Sequence, residues 1–511
     1  MCYIGLDAGT SGIKALAFDE EGRILAAACQ DYPLITPRDG WAELAPAHIW
    51  NGAKSVLSQV ASRLSDLNQT VRALAVSSAA QTVAPFDCQG RPLYNFITTV
   101  DTRTGAQNLW WQEHADEKEL FQRTGLPFSP IYMVNKLMWL KEHEPEIFHR
   151  AWKFFCVEDY LTWCLCGETV IDYSVASRGM LLNIQTLDWD QKVLELTGID
   201  PGKLSAPLKA ATDLGRIRQD LGEMLGLPAE TRIILGSHDQ TCGTIGCGAI
   251  DPGQTMNAIG TVEVLMAIHK GIPQADGVLR CHFPCIPHVL EGRYSVMSLN
   301  QNAGVLLKWY KNLFCGGEEA HALAHGLDPY RYLIESSSDR IADVFVLPHI
   351  NGCETPVSDP ASAAAILHMR AHHTKADITR AVLDSMAYDL RQNIEALENI
   401  GIPTGPLHAI GGGARTDKLL QLKADCTGRI IYTNQVTEAA SLGAAILAAV
   451  GTGACPDIRT TVDRMVHTDK TFYPDAGRAS EYDWGYGVFR TLYGRLRELN
   501  HEVAERAAHL W

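Results

Sequence analysis

The sequence predicts an α/β protein built as two large lobes, and three observations predict it. At 511 residues the chain is too long for one hydrophobic core, and about one domain per 150 residues permits two to four. Short apolar runs ending in glycine or small polar residues alternate with stretches of helical period. A pattern of strand, glycine–threonine turn and strand occurs near the start and again mid-chain, which suggests a duplicated architecture. The lobe boundary is therefore expected near residues 248–254, with domains over 1–250 and 251–511.

The opening strand, residues 3–6, runs into Asp7-Ala8-Gly9-Thr10-Ser11-Gly12-Ile13-Lys14 and returns over residues 15–19, closed by Glu20-Glu21-Gly22. At the tip, Gly9 and Gly12 allow a close bend around an anion and Thr10 and Ser11 offer donors. Lys14 adds charge, and Asp7 is able to hold a divalent metal through water. No Gly-Lys-Ser/Thr opens a helix here, which excludes a Walker loop; an ordinary turn between strands is the other reading. Strands follow at 73–76 and 83–86 around Ser77-Ser78-Ala79-Ala80-Gln81-Thr82, and Asp87-Cys88-Gln89-Gly90 makes a turn. Helical period marks residues 48–67, 135–143, 375–400 and 418–427.

The buried run 232–235 enters Gly236-Ser237-His238-Asp239-Gln240 and a small-residue helix over 241–250, stopped by Asp251-Pro252-Gly253. Asp239 is there either a helix N-cap or a carboxylate projecting into a cleft. Residues 255–266 repeat the early pattern around Gly260-Thr261. Later, Gly411-Gly412-Gly413 is either a flexible turn or a bed for a flat group at a helix start.

Composition sets outer bounds. With 46% hydrophobic and 20% charged residues the chain is ordinary globular material, and no uninterrupted apolar stretch is long enough to cross a bilayer. A formal charge of −15 argues against nucleic acid as a partner. Fourteen scattered cysteines, and a start without a basic segment leading into an apolar run, make the cytoplasm the expected location.

In this order and at this wide spacing, Asp7-Ala8-Gly9-Thr10-Ser11, Asp239-Gln240, Gly260-Thr261 and Gly411-Gly412-Gly413-Ala414-Arg415 resemble the FGGY carbohydrate kinases. Lesser matches run through residues 136–143, 377–384 and 438–445. Ile131 and Met133 depart from one family signature, and His368 stands where the other usually has glycine. The resemblance implies two actin-like, ribonuclease-H-like lobes with the site in the cleft between them, and transfer of phosphate from ATP to a small sugar. Asp239 would then be the general base, Gln240 a partner of the acceptor and Asp7 the residue that binds Mg²⁺ through water. Thr10, Ser11, Gly12 and Lys14 match positions around the phosphates, faced by Gly260 and Thr261 from the second lobe. Gly304, Lys308, Gly412, Gly413 and Asp417 match the adenosine side. A homodimer is the family-level expectation.

Ala80, Gln81, Asp101 and Arg103 match the acceptor pocket. The pocket segment carries neither the Gln-Met-His frequent in pentulose kinases nor the Arg-Glu of glycerol kinases. Ala79 and Ala80 take away side chains, and Thr99 replaces a common tryptophan; Trp41 is either a stacking platform or a structural residue. Loss of Arg-Glu, and of an aromatic at Ile131, argues against glycerol and leaves a pentulose such as D-xylulose as the expected acceptor. The alternatives are another ketose or polyol (ribulose, fuculose or an erythritol-type acceptor) and a catalytically silent nucleotide and sugar sensor.

Other conspicuous residues read as structure. Cys281, His282, Cys285 and His288 lack a second pair at zinc spacing. Cys242 and Cys247 suit close packing better than nucleophilic work. His372-His373 reads as a polar loop, and residues 490–511 as an amphipathic helix packing on the second lobe or at a subunit contact.

Overall fold

Residues 1–341 and 343–507 are described by the computed structural model. Two sheets organise them. The first has six strands in the order Asp213–Arg216, Arg232–His238, Val71–Ser78, Cys2–Ala8, Gly12–Phe18 and Ile24–Asp31. Cys2–Ala8 pairs antiparallel with Gly12–Phe18 and parallel with Val71–Ser78, which is itself parallel to Arg232–His238.

The second sheet repeats that plan. Gly253–Ile259 pairs antiparallel with Glu263–Lys270 and parallel with Thr404–Ile410, which is parallel to Ile431–Asn434. In each sheet a meander of three strands continues into two parallel strands, and an antiparallel strand flanks the fifth, Asp213–Arg216 in one and Thr468–Phe472 in the other. The duplication expected from two short turns therefore extends through six strands of each sheet, and the second adds a seventh, Cys285–Pro287, beside Arg293–Asn300.

The elements follow local sequence closely. The expected 48–67 segment is the helix Pro46–Asp66, capped by Leu67, which presents Ile49, Val56, Leu57, Val60 and Leu64 to the first sheet at helical spacing. Lys375–Asn399 starts with a capping box between Thr374 and Asp377. The C-terminal helix is longer than its amphipathic segment suggested, Ala479–Ala507; residues 508–511 of that expectation lie outside the described residues. His368 adopts φ +63°, a left-handed conformation that glycine reaches without strain, and its Nδ1 lies 2.9 Å from the Asp343 carbonyl. No helix among the described residues is long and apolar enough to cross a membrane.

What joins the halves is a pair of small-residue helices, Asp239–Gly246 and Ala439–Gly451. A Cβ on Gly246 would stand 1.9 Å from the Ala439 carbonyl oxygen, and one on Gly443 would stand 1.9 Å from that of Cys242. The same second helix lies on the first sheet, where a Cβ on Gly5 would stand 1.8 Å from the Ser441 carbonyl. Leu442, Ala445, Ile446 and Ala449 share one apolar cluster there with Tyr3, Phe18, Ala75 and Ile234. The backbones meet at a distance that only glycine permits.

Gly443→Ala is expected to lower unfolding free energy by about 3 kcal/mol, since the methyl meets backbone that cannot rotate away. Gly494→Ala, on an open face of the C-terminal helix, is expected to raise it by about 0.5–1 kcal/mol. Urea midpoints of the two variants, each against wild type, check the pair.

Candidate active site

The parallel strands of the first sheet end together, and the ends of such strands are where open α/β sheets bind ligands. Asp7 pairs in register with Ser77 on one side and Lys14 on the other. Its Oδ1 accepts a hydrogen bond from Ser77 Oγ at 2.8 Å. Ser237 is in register with Ser77, two residues before Asp239. Asp239 begins the helix Asp239–Gly246, and His238, which holds the cap position, makes no side-chain capping hydrogen bond. Burial raises the carboxyl of Asp239 to about 7, and the charge of Asp7 adds to the effect. Asp7 is also raised, chiefly by burial, against the lowering effects of Ser77 and Lys14.

The N-terminal hairpin turns through a bond from Gly9 N to Gly12 O of 3.0 Å, and the Tyr32 hydroxyl donates to the Gly9 carbonyl. Thr10 and Ser11 are left at the tip, with Ser11 exposed. The glycines serve differently from the sequence reading. Neither has a left-handed φ, and Gly12 is required by its neighbours, because a Cβ would stand 2.9 Å from Asp31 Oδ1 and 3.0 Å from the Gln30 carbonyl. Lys14 reaches across the lobes to Glu438 at 2.7 Å, and Glu438 lies 3.6 Å from Arg415.

Arg415 also lines a cavity of about 710 Å³ in the second half, a size that suits a nucleotide. Gly260, Thr261, Gly304, Lys308, Gly412 and Gly413 all border it, over apolar walls that include Leu307, Ile334, Met386 and Leu419. Gly304 lets the helix Ala303–Phe314 seat on the turn, since a Cβ would stand 2.3 Å from the Gly260 carbonyl; Val305 N donates to Thr261 O at 2.9 Å. Asp417 stands apart from this group. It lines a neighbouring cavity and pairs with Lys470 at 2.8 Å.

At the other end, residues 79–82 carry the chain from the first sheet into a four-stranded sheet that includes Val83–Phe86. Gln81 takes φ +64° and is held by two buried cations. Lys136 Nζ donates to its carbonyl at 2.5 Å. With the carboxamide oxygen turned toward Arg178, it accepts from Nη2 at 2.6 Å and Nε at 3.2 Å, while its nitrogen donates to Ala80 O at 3.2 Å. Burial lowers both cations, Lys136 to about 7. Ala80 is buried beside them, and Gln240, next to the candidate base, has a buried Oε1 without a partner. Arg178 Nη1 has no partner either, and no carboxylate among the described residues lies within salt-bridge distance of this guanidinium.

Asp101 and Arg103 engage each other. Arg103 donates from Nε to Asp101 Oδ1 at 2.8 Å and from Nη2 to Asp101 Oδ2 and Glu43 Oε1 at 2.7 Å. The guanidinium lies 3.7 Å from the ring centre of Trp41, and Asp101 Oδ2 accepts from Ala42 N at 2.7 Å. This pair anchors the loop that carries Trp41. Cys285 is buried in the second lobe's core. His288 has both ring nitrogens engaged, one 3.0 Å from Thr244 Oγ1 and the other accepting from Leu290 N.

Arg178, His238 and Glu438 join the candidate site without having been singled out in the sequence, and Ser77 was read only as part of the segment 77–82. His238 had a signal, its place beside the candidate base. Arg178 had only its isolation in a run of small and apolar residues.

Two family descriptions cover this chain: the FGGY family of carbohydrate kinases, N-terminal domain, over residues 2–246, and the C-terminal domain of the same family over residues 256–452. Among curated relatives, a xylulose kinase of Staphylococcus epidermidis is 27% identical over 505 residues, 98% of each chain. A gluconokinase of Bacillus licheniformis is 28% identical over 508 residues, 98% of this chain and 97% of its own. Solved structures share the fold: a xylulose kinase from Rhodospirillum rubrum, with a TM-score of 0.88 at 24% identity, covers 98% of this chain and 100% of its own. A gluconate kinase from Lactobacillus acidophilus, at 0.87 and 24%, covers 97% and 98%.

Asp239→Asn is expected to stabilise the metal-free protein at pH 8. The wild-type carboxyl, raised to about 7 in the fold, is ionised and poorly solvated there, and the amide carries no such penalty. As pH falls from 8 toward 4 the folded wild type takes up its proton before the unfolded chain does, so the advantage shrinks. Melting temperatures of the two proteins across that range check the sign.

Proposed function

This chain belongs to the FGGY family of carbohydrate kinases, and from that premise we propose that it transfers the γ-phosphoryl group of ATP to D-xylulose, giving D-xylulose 5-phosphate and ADP. The observation that carries the chemistry is Asp239, a carboxylate at a strand end whose proton affinity burial and Asp7 have raised toward neutrality. The choice of acceptor is supported by the xylulose kinases that match over nearly the full length.

In the step, the Asp239 carboxylate accepts the proton of the sugar's terminal hydroxyl as its oxygen bonds to the γ-phosphorus. The bond to the bridging oxygen breaks, and ADP leaves with that electron pair. Thr10, Ser11, Gly12 and Thr261 supply donors around the phosphates, and the 710 Å³ cavity receives the nucleoside. Asp7 fits the role of Mg²⁺ holder through water. One of its oxygens is fixed by Ser77, and Asp7 lies near enough to a second carboxylate, Asp239, to raise that group's proton affinity. Bound there, Mg²⁺ would supply positive charge to the phosphates. Ala80, Gln81 and Gln240 shape the acceptor end, with Asp101 and Arg103 supporting it through Trp41. The division of labour follows residues 1–250 for sugar and hairpin and 251–511 for nucleotide; a cytoplasmic homodimer completes the reading.

A second reading is favoured by one observation. A buried guanidinium, Arg178, with an unpartnered Nη1 and no carboxylate among the described residues in salt-bridge range, suits an acceptor that carries its own carboxylate, such as D-gluconate, and gluconokinases are among the matching relatives.

ADP release with D-xylulose and with D-gluconate tests both. Turnover of D-xylulose is expected, abolished by EDTA and restored by Mg²⁺. It should fall at least 1,000-fold in Asp239→Asn, and in Thr10→Ala by about 100-fold, near the 3 kcal/mol of one lost transition-state donor. Turnover of D-gluconate alone selects the second reading, and tight ATP binding without turnover of any acceptor favours a sensor.

A further inference from the structure

The candidate base has one oxygen that the reaction scheme leaves idle. Asp239 Oδ1 is buried and has no hydrogen-bond partner, although the side chain as a whole is 28% exposed, so its exposure lies on the remaining atoms, Oδ2 among them. Nε2 of His238 lies 3.1 Å from Oδ1, and Gln240 acts on the same carboxyl through its backbone and side-chain amides. That ring is 5% exposed and its Nδ1 is likewise without a partner. The backbone behind it is fixed. His238 N donates to Ser174 Oγ at 3.0 Å, Ser174 Oγ is 2.8 Å from Ser237 Oγ and donates to Asp172 Oδ1, and Asp172 accepts from the amides of Ser174 and Val175.

We propose that His238 is a positioning residue for Asp239: its Nε2–H engages the buried Oδ1 and turns Oδ2 toward the acceptor hydroxyl. The inference rests on the reading of Asp239 as general base. A neutral imidazole carries one N–H. On Nδ1 that proton would meet no acceptor, and on Nε2 it meets a carboxylate oxygen that lacks a donor. Burial, with the charge of Arg178 in support, holds the ring down to about 3, so the contact is a neutral donor to a carboxylate and not an ion pair. The 3.1 Å separation lacks good alignment without substrate, and contacts of this kind tighten when the acceptor arrives. Free to rotate, the carboxylate would present its basic oxygen to the sugar for only part of the time, and small misplacements cost about 100-fold in rate.

The test begins without substrate. In full-length protein labelled with ¹⁵N-histidine, the His238 resonances, identified by their loss in His238→Gln, are expected to report the Nε2–H tautomer. Kinetics with D-xylulose, or with D-gluconate if that is the acceptor turned over, are expected to show kcat about 100-fold lower in His238→Phe, with the dissociation constant for mant-ADP within two-fold. His238→Gln, whose amide nitrogen can reach the same oxygen, should recover to within about ten-fold of wild type. In an Asp239→Asn background, His238→Phe should cost less than two-fold more. An Nδ1–H tautomer, a wild-type rate in His238→Phe, or equal losses in both backgrounds would overturn the proposal. If His238→Phe fails to fold, as judged by its melting curve, the tautomer and His238→Gln arms still decide it. Wild-type protein that turns over neither acceptor defeats the kinase reading, and the tautomer alone then bears on His238.

Discussion

Two helices that touch backbone to backbone set the terms for everything else in this molecule. Gly246 and Gly443 face carbonyls of the opposite helix at distances no side chain allows, and Gly5 gives the same approach to the first sheet. Because the crossing is so close, the helix Ala439–Gly451 of the second half becomes part of the first half's core. One end of that seam is also the candidate site. Asp239 starts the first helix, Glu438 immediately precedes the second, and each reaches into the region between the sheets from a scaffold with little freedom to shift.

The charges converging there explain one another. Two carboxylates, Asp7 and Asp239, raise proton affinity at the strand ends, while two buried cations, Lys136 and Arg178, grip Gln81 from its backbone and side-chain sides. Residue 81 occupies a left-handed conformation that costs an ordinary side chain about 1 kcal/mol or more. The two hydrogen-bonded cations make that conformation sustainable. A chain of formal charge −15 thus keeps local positive charge where its proposed anionic substrate arrives, through Lys14, Lys308 and Arg415 at the nucleotide side.

Much of this was legible in the residues and some was not. The N-terminal hairpin, the Gly260-Thr261 turn and the glycine run were readable as turns because each is contiguous, and backbone bends of that kind leave a local trace. The two-sheet plan was readable because strand and helix periods are local too. Asp101 and Arg103 were legible as a pattern, yet their occupation depends on Glu43 and Trp41, which only folding brings near. Arg178, Ser77 and Glu438 act through partners distant in sequence, so no window of residues announces them. Lys14 shows the same limit, since an isolated lysine beside a phosphate turn gives no hint of a carboxylate waiting in the other half.

His368 carries a wider lesson about kinship. A family pattern spelled with glycine at that point would count this chain as a deviation, while the main chain bends there as glycine would let it. Here a histidine holds a torsion angle open to glycine at little cost, and its ring nitrogen, 2.9 Å from the Asp343 carbonyl, ties the bend to the strand region beside it.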